Sequence, residues 1–281
     1  MPFVITRDPF EFQDRAWGYL AAAIERNVLA TVLMTVLDGR DDGLFAYRFD
    51  DTGEVHAAAL RTRFAMLTGE LDPELADELI EQWLAVDPAL PGANGPPSAV
   101  RSLAAAWRRR TGRPTRAARR MAIHELDEVV DPPRPPAGTL RHGHRAERDR
   151  LIAWWGAFAQ EADSVSGSNP EATVDARLDA GGLFVWDDGG PVSLVAISPP
   201  VAGATRIGPV YTPPEHRRRG YAGMAVAEVS RHALTNGADR CTLFTDLENP
   251  TSNKIYAEVG YRRTGDWEEQ LFEPPVDLEG R

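Results

Sequence analysis

One cysteine, Cys241, stands in a chain of 281 residues. A lone thiol forbids an internal disulfide and any cysteine-built zinc site. Long apolar runs are missing as well. The most apolar stretch, residues 28–37, is broken by Thr31 and Thr35, and a membrane span needs about 20 residues. Near Met1 the residues Arg7, Asp8 and Glu11 replace the basic-then-apolar pattern of a secretory signal, so the expected compartment is the cytoplasm, with no membrane partner. Positive charge is in deficit: 31 Lys+Arg face 42 Asp+Glu, for a net charge of −11. The averaged field repels phosphate and disfavours nucleic acid as a partner. Neither a three-glycine dinucleotide loop nor a Gly-Lys-Ser/Thr phosphate loop is present, and no Gly-x-Ser-x-Gly elbow supports a serine hydrolase. The six histidines include no pair at metal-ligand spacing on a helix. His142 and His144, the closest pair, read as structural residues on a strand, and no metal is expected.

What is present is ordinary globular composition, 43% hydrophobic and 26% charged, at a length that suggests about two domains. Four prolines between Asp131 and Pro136 can sit neither in a helix nor in a central strand. This places a first domain at residues 1–130, a proline-rich linker at 131–137 and a second domain at 138–281. In the first half, Asp8-Pro9 opens a helix with apolar residues at helical spacing (Phe12, Ala16, Tyr19, Leu20, Ala23, Ile24). Three strand-like runs follow at 29–37, 44–49 and 55–60. A helix from Asp72-Pro73 to Val86, a short strand at 89–94, a helix capped by Ser98 and a strand at 119–126 complete it. The second half reads as helices at 147–162 and 172–180, a hairpin of strands at 183–186 and 192–198, a strand at 204–211 and a helix at 220–236. A strand at 240–244, a helix at 251–259 and closing strands near Tyr261 and Leu271 end it. Both halves finish on strand, glycine or proline loop, helix, strand, the mark of a diverged duplication.

The chemistry concentrates in residues 208–223, where a strand ends, a rigid turn follows and a glycine-bearing arginine loop runs straight into a helix. The free N–H groups of a first helical turn, with the positive end of the helix dipole, suit a pyrophosphate. Gly220 and Ala222 are small where backbone must approach a ligand. Ala222, Ala225, Val226, Val229 and Ala233 supply the helix with its apolar stripe. Downstream, Asn249-Pro250 opens and Gly260 closes a second helix, on which Ser252 and Tyr256 share a face.

The Arg217-x-x-Gly220-x-Ala222 loop after a strand, with Asn249, Ser252-Asn253, Tyr256 and Gly260-Tyr261 some thirty residues on, resembles motifs A and B of the Gcn5-related N-acetyltransferases (GNAT). The resemblance spans residues 138–273. It implies an α/β (α+β) GNAT fold, a central mixed and mostly antiparallel sheet flanked by helices, and an acetyl-CoA-dependent N-acetyltransferase acting on a small-molecule or peptide amine. By the same resemblance, backbone at Val210, Tyr211 and Thr212 binds the pantetheine arm, and Arg217, Arg218, Arg219, Gly220, Tyr221, Ala222 and Gly223 cradle the pyrophosphate. Asn249, Ser252 and Asn253 line acetyl-CoA, and Tyr256 sits near its sulfur. A backbone N–H at Val210 would stabilise the oxyanion, and Tyr256 would act as general acid to the CoA thiolate. Related sequences often carry glycine where this chain has Arg218. Residues 1–130 resemble the degenerate partner domain that precedes some bacterial members of the group. Its segment Leu90–Pro96 occupies the place of the strand and loop without the arginine-glycine sequence, so no cofactor is expected there.

Other features read in two ways. Eight arginines and no acid lie between Arg101 and Arg120; a solvated helix face is favoured over a nucleic-acid patch. Trp154, Trp155 and Phe158 lie where family members shape the acceptor pocket, although such residues are more often core. Glu161, Asp163, Asp246 and Glu248 are candidates to hold a cationic amine or to take its proton. The rival to an enzyme is a catalytically silent acyl-CoA sensor. Oligomeric state and acceptor stay open.

Overall fold

A computed structural model describes residues 1–162 and 169–272 of the chain. The chain forms two compact units, one built from Met1–Ala122 with residues 265–272, the other Ile123–Thr264. The chain crosses between them within two strands, β6 (Thr115–Leu126) and β12 (Arg262–Phe272). The division differs from the one read from sequence. The proline-rich stretch at 131–137 lies inside the second unit, and the end of β12 belongs to the first.

In the first unit, β1 (Val4–Thr6), β2 (Leu44–Phe49), β3 (Val55–Arg61), β4 (Met66–Thr68) and β5 (Gly92–Gly95) lie in sequence order, with β12 beside β5. Neighbours are antiparallel except β4 and β5, which run parallel with Met66 opposite Ala93. The helices are α1 (Pro9–Ala21), α2 (Asn27–Leu37), α3 (Pro73–Val86) and α4 (Pro97–Thr111). Asp8 caps α1 by accepting the N–H groups of Phe10 and Glu11, as Asp8-Pro9 predicts.

Residues 29–37 are a correction, since they belong to α2 and not to a strand. A short apolar run does not distinguish the two periods by itself. Here Leu29, Leu33 and Val36 bury one helical face, and the hydroxyls of Thr31 and Thr35 donate to the carbonyls of Asn27 and Thr31, four residues back. Ser98 is a second correction. Pro96 occupies the cap position of α4, and the Ser98 hydroxyl instead donates to Glu70. The strands read near Tyr261 and Leu271 are one strand, β12.

Phe272 at the end of β12 is fully buried and stacks on Trp107 of α4 at a centroid separation of 4.8 Å. Deleting such a ring costs about 3–5 kcal/mol through lost burial and the cavity left behind. Phe272→Ala is therefore expected to lower the urea midpoint of the first unit; an unchanged midpoint contradicts the place of β12 in that core.

Part of the arginine cluster is neutralised locally. Arg101 meets Glu268 at 2.7 Å, Arg109 and Arg110 share Asp77, and Arg108 donates to Thr115. These pairs support the solvated-face reading.

In the second unit the order is β6-β11-β10-β9-β8-β7, with β7 (Thr139–His142), β8 (Leu183–Asp187), β9 (Pro191–Ile197), β10 (Ala204–Tyr211) and β11 (Arg240–Asp246). β7 to β10 are antiparallel, whereas β10 and β11 are parallel. Alternation along the strands splits the core. Leu183, Val185, Leu194 and Ala196 face α5 (Arg148–Glu161) and α6 (Pro170–Asp179). Phe184, Trp186, Val195 and Ile207 face α7 (Tyr221–Thr235) and α8 (Pro250–Val259). His142 on β7 packs its ring tilted against Phe184 at 4.4 Å, whereas His144, read as a strand residue, lies past β7 in a capping box with Glu147.

Candidate active site

The site begins with a mismatch between two strands. β10 pairs with β11 only through Ala204–Arg206 against Arg240–Thr242. On its other edge β10 carries an irregularity: Ile207 lies opposite Ile197, but Val210 lies opposite Val195, so an extra residue is accommodated at Gly208-Pro209. Such a bulge bends its strand and strengthens the local twist. Gly208, at φ +138°, supplies conformational freedom there. Past Arg206, Val210 and Tyr211 have no pairing with β11 among the described residues, which leaves backbone polar groups open to a ligand.

Thr212 and the loop are held in place by side chains. Ser193 of β9 bonds to the carbonyl of Tyr211 at 3.1 Å and to the hydroxyl of Thr212 at 2.8 Å. Arg217 donates through Nε to the carbonyl of Thr212 and grips Glu161 through Nη2 at 2.7 Å to each oxygen. The Glu161 carboxylate raises the Arg217 pKa, and burial followed by Glu161 raises that of Tyr211. Arg217 is thus a brace between loop and α5. Arg219 reaches the carbonyl of Glu215, and Arg218 has no partner among the described residues.

The loop ends in two left-handed residues, Arg218 at φ +63° and Gly220 at φ +85°. The first explains why glycine suits that position in related sequences. A side chain there costs about 1–2 kcal/mol, partly offset by the greater chain entropy of glycine. Arg218→Gly is expected to gain up to about 1 kcal/mol of stability. A lowered melting temperature would contradict this.

Gly220 is the N-cap of α7 and offers no capping side chain. The first intrahelical bond runs from Met224 N–H to the Gly220 carbonyl, so the N–H groups of Tyr221, Ala222 and Gly223 keep the free donor character of a helix start. By contrast α1, α3, α6 and α8 are each capped by their own Asp or Asn. The Tyr221 side chain is not at the ligand face: it is buried and its hydroxyl donates to Asp188 at 2.5 Å. Only its backbone remains available.

α8 lies against the start of α7. A Cβ on Gly223 would stand 3.6 Å from Ile255 Cγ2. Asn249 accepts the Ser252 N–H as helix cap, and Asn253 donates to the carbonyl of Asp246 at 3.1 Å, so both asparagines first serve the β11–α8 turn. Tyr256 is half-buried and packs edge-on against Tyr261 at 6.0 Å. Its hydroxyl makes no hydrogen bond among the described residues, and burial pushes its pKa up to about 12. The Tyr261 hydroxyl is instead bonded to Ser230.

On α5, Trp154, Trp155 and Phe158 are partly buried against the cluster that contains Tyr211. Glu161 is engaged by Arg217, and the Asp246 carboxylate accepts the Glu248 N–H in a tight turn. Asp163 lies outside the described residues. Ser193, Asp188 and Glu161 as an arginine partner escaped sequence reading, because each acts across elements distant in the chain.

The first unit repeats the topology with different chemistry. Its parallel pair is β4 and β5, joined by α3, as β10 and β11 are joined by α7. The counterpart of the arginine loop is therefore Gly69–Asp72 and not Leu90–Pro96, a correction that follows from strand direction. At that helix start Asp72 accepts the Leu75 N–H at 2.8 Å, with Glu70 and Glu74 nearby in sequence.

Comparison with known proteins agrees with this geometry. Residues 147–261 match the acetyltransferase (GNAT) family, and this part of the chain is an acyltransferase domain of that family. No curated protein matches the chain in sequence. Among solved structures, a GNAT-family acetyltransferase from Colwellia psychrerythraea is similar with a TM-score of 0.61 at 11% identity, over 97% of this chain and 99% of that one. A GCN5-related N-acetyltransferase from Sphaerobacter thermophilus gives 0.60 at 17% identity, over 96% and 95%. A tandem GNAT protein from the clavulanic acid biosynthesis pathway gives 0.57 at 13% identity, over 96% and 97%. At these identities the likeness is one of fold. The family and fold carry acyl-CoA-dependent acetyl transfer in general. Among the described residues no helix is long and apolar enough to cross a membrane, and no group of three or more His, Cys, Asp or Glu could hold a metal.

Proposed function

We propose that the second unit transfers an acetyl group from acetyl-CoA directly to a primary amine on a small-molecule or peptide acceptor. The observation that carries this reading is the uncapped start of α7 at the end of the loop that follows a strand leaving its parallel neighbour. Those donors fit a pyrophosphate, and the open edge at Val210–Thr212 fits an amide-bearing pantetheine arm. Arg218 and Arg219 add positive charge; Arg217 positions the loop through Glu161.

In the transfer step the neutral amine nitrogen bonds to the thioester carbonyl carbon, and negative charge gathers on oxygen. The N–H of Val210 donates to that oxygen. The carbon–sulfur bond then breaks with its electron pair on sulfur, which takes the Tyr256 hydroxyl proton. The proton lost by the new amide nitrogen passes to solvent, and Tyr256 regains one from solvent. A phenol held at a pKa of about 12 stays protonated at neutral pH and is ready to donate. In the first unit the Asp72 carboxylate takes the Leu75 N–H and places its own negative charge where an anion would bind, which supports a non-catalytic role. The protein is read as cytoplasmic.

The test is release of CoA thiol from acetyl-CoA across a panel of polyamines, amino sugars, aminoglycosides and peptide N-termini. Amine-dependent release with an acetylated product supports the reading. Tight acetyl-CoA binding with no turnover on any class favours a silent sensor instead.

A further inference from the structure

The proline-rich stretch is a strap, fixed at both ends within the second unit. At its start Val130 N–H donates to the carbonyl of Val259 at 2.9 Å and Asp131 pairs with Arg231. At its end the indole of Trp186 donates to the carbonyl of Ala137 at 2.8 Å. Pro132, Pro133, Pro135 and Pro136 restrict the backbone between these anchors, so little conformational freedom remains to be lost on binding. Its middle passes the start of α7. A Cβ on Gly220 would lie 3.7 Å from Pro136 Cδ and 3.8 Å from the carbonyl oxygen of Arg134. Arg134 is exposed and has no hydrogen bond or ion pair among the described residues.

We propose that Arg134 is a binding residue for the phosphates of acyl-CoA, delivered to the α7 start by the strap and not by the arginine loop. The assignment rests on the acetyl-CoA reading above. Arg217 is spent on Glu161, whereas Arg134, whose backbone carbonyl lies beside Gly220, and Arg218, two residues before it, have no side-chain partner among the described residues. A guanidinium suits phosphate because its planar fork donates two parallel hydrogen bonds, whereas the strap fixes where that fork starts. Either the pyrophosphate or the 3′-phosphate presents the required oxygens.

The experiment is calorimetric titration of CoA and of 3′-dephospho-CoA into the full chain, wild type, Arg134→Gln and Arg134→Lys, at low and at high salt. Since the Arg134 side chain is exposed and makes no hydrogen bond or ion pair among the described residues, all three proteins are expected to melt together. Arg134→Gln is expected to bind CoA about tenfold more weakly, with partial recovery in Arg134→Lys and a smaller difference at high salt. A loss confined to CoA assigns the 3′-phosphate; an equal loss with dephospho-CoA assigns the pyrophosphate. If wild type binds CoA and Arg134→Gln binds it equally well, the Arg134 assignment is overturned and the acetyl-CoA reading stands. If wild type binds neither ligand, both are overturned.

Discussion

Tyr256→Phe is expected to lower kcat by about two to four orders of magnitude while leaving the KM for acetyl-CoA nearly constant, if the proposed general-acid role holds. General acid catalysis contributes about 10²–10⁴ when the leaving group needs a proton, and the phenol oxygen is the only atom removed. The ring stays, and with it the edge-on packing on Tyr261, so affinity and fold have little reason to change. The pH dependence has a defined sign. An acid works while protonated, below its pKa, and burial sets that value at about 12 for Tyr256. The wild-type rate therefore shows no fall from this group on the alkaline side until pH approaches 12. A Phe variant with full turnover, or a descending limb near pH 8 that disappears with the hydroxyl, contradicts the role.

Gly220→Glu is expected to abolish acetyl-CoA binding, the second large effect. Gly220 caps α7 at φ +85°, next to three donors that no side chain caps among the described residues. A carboxylate placed there takes those donors for itself and repels phosphate. Backbone strain accompanies any side chain at this φ, about 1–2 kcal/mol. Gly220→Ala separates the two causes, because its Cβ finds ordinary contacts near Pro136 and carries no charge. The alanine variant is expected to melt earlier yet bind; the glutamate variant is expected to melt about equally early and not bind. Equal binding by both would remove the phosphate from this helix start. Measuring affinity well below both melting temperatures keeps the comparison free of unfolding.

Much of the second unit was legible because its signals are local. The loop-to-helix junction at Gly220, the Asn249-Pro250 cap and the Gly260 stop each sit within a few residues of the element they define. Residues 29–37 were not legible, since threonines that bond back to their own helix resemble strand formers in composition. The strap was read as a linker for a related reason. Proline content shows that a segment is irregular but does not show that Asp131 and Ala137 are tied to Arg231 and Trp186, residues far along the chain. In the candidate site, the motif residues were visible while their partners were not. Arg217 reads as a phosphate ligand until Glu161 is found 56 positions away holding it. The counterpart loop in the first unit was misplaced because only strand direction distinguishes β4 from β5 as its origin.

The unequal chemistry of the two helix starts gives a sharp expectation for stoichiometry. Asp72 caps the start of α3, whereas among the described residues no side chain caps that of α7. Titration of acetyl-CoA into the intact wild-type protein, followed by calorimetry, is expected to saturate at one ligand per chain. No saturable binding, or two equivalent ligands per chain, contradicts an acetyl-CoA site built on the second unit alone.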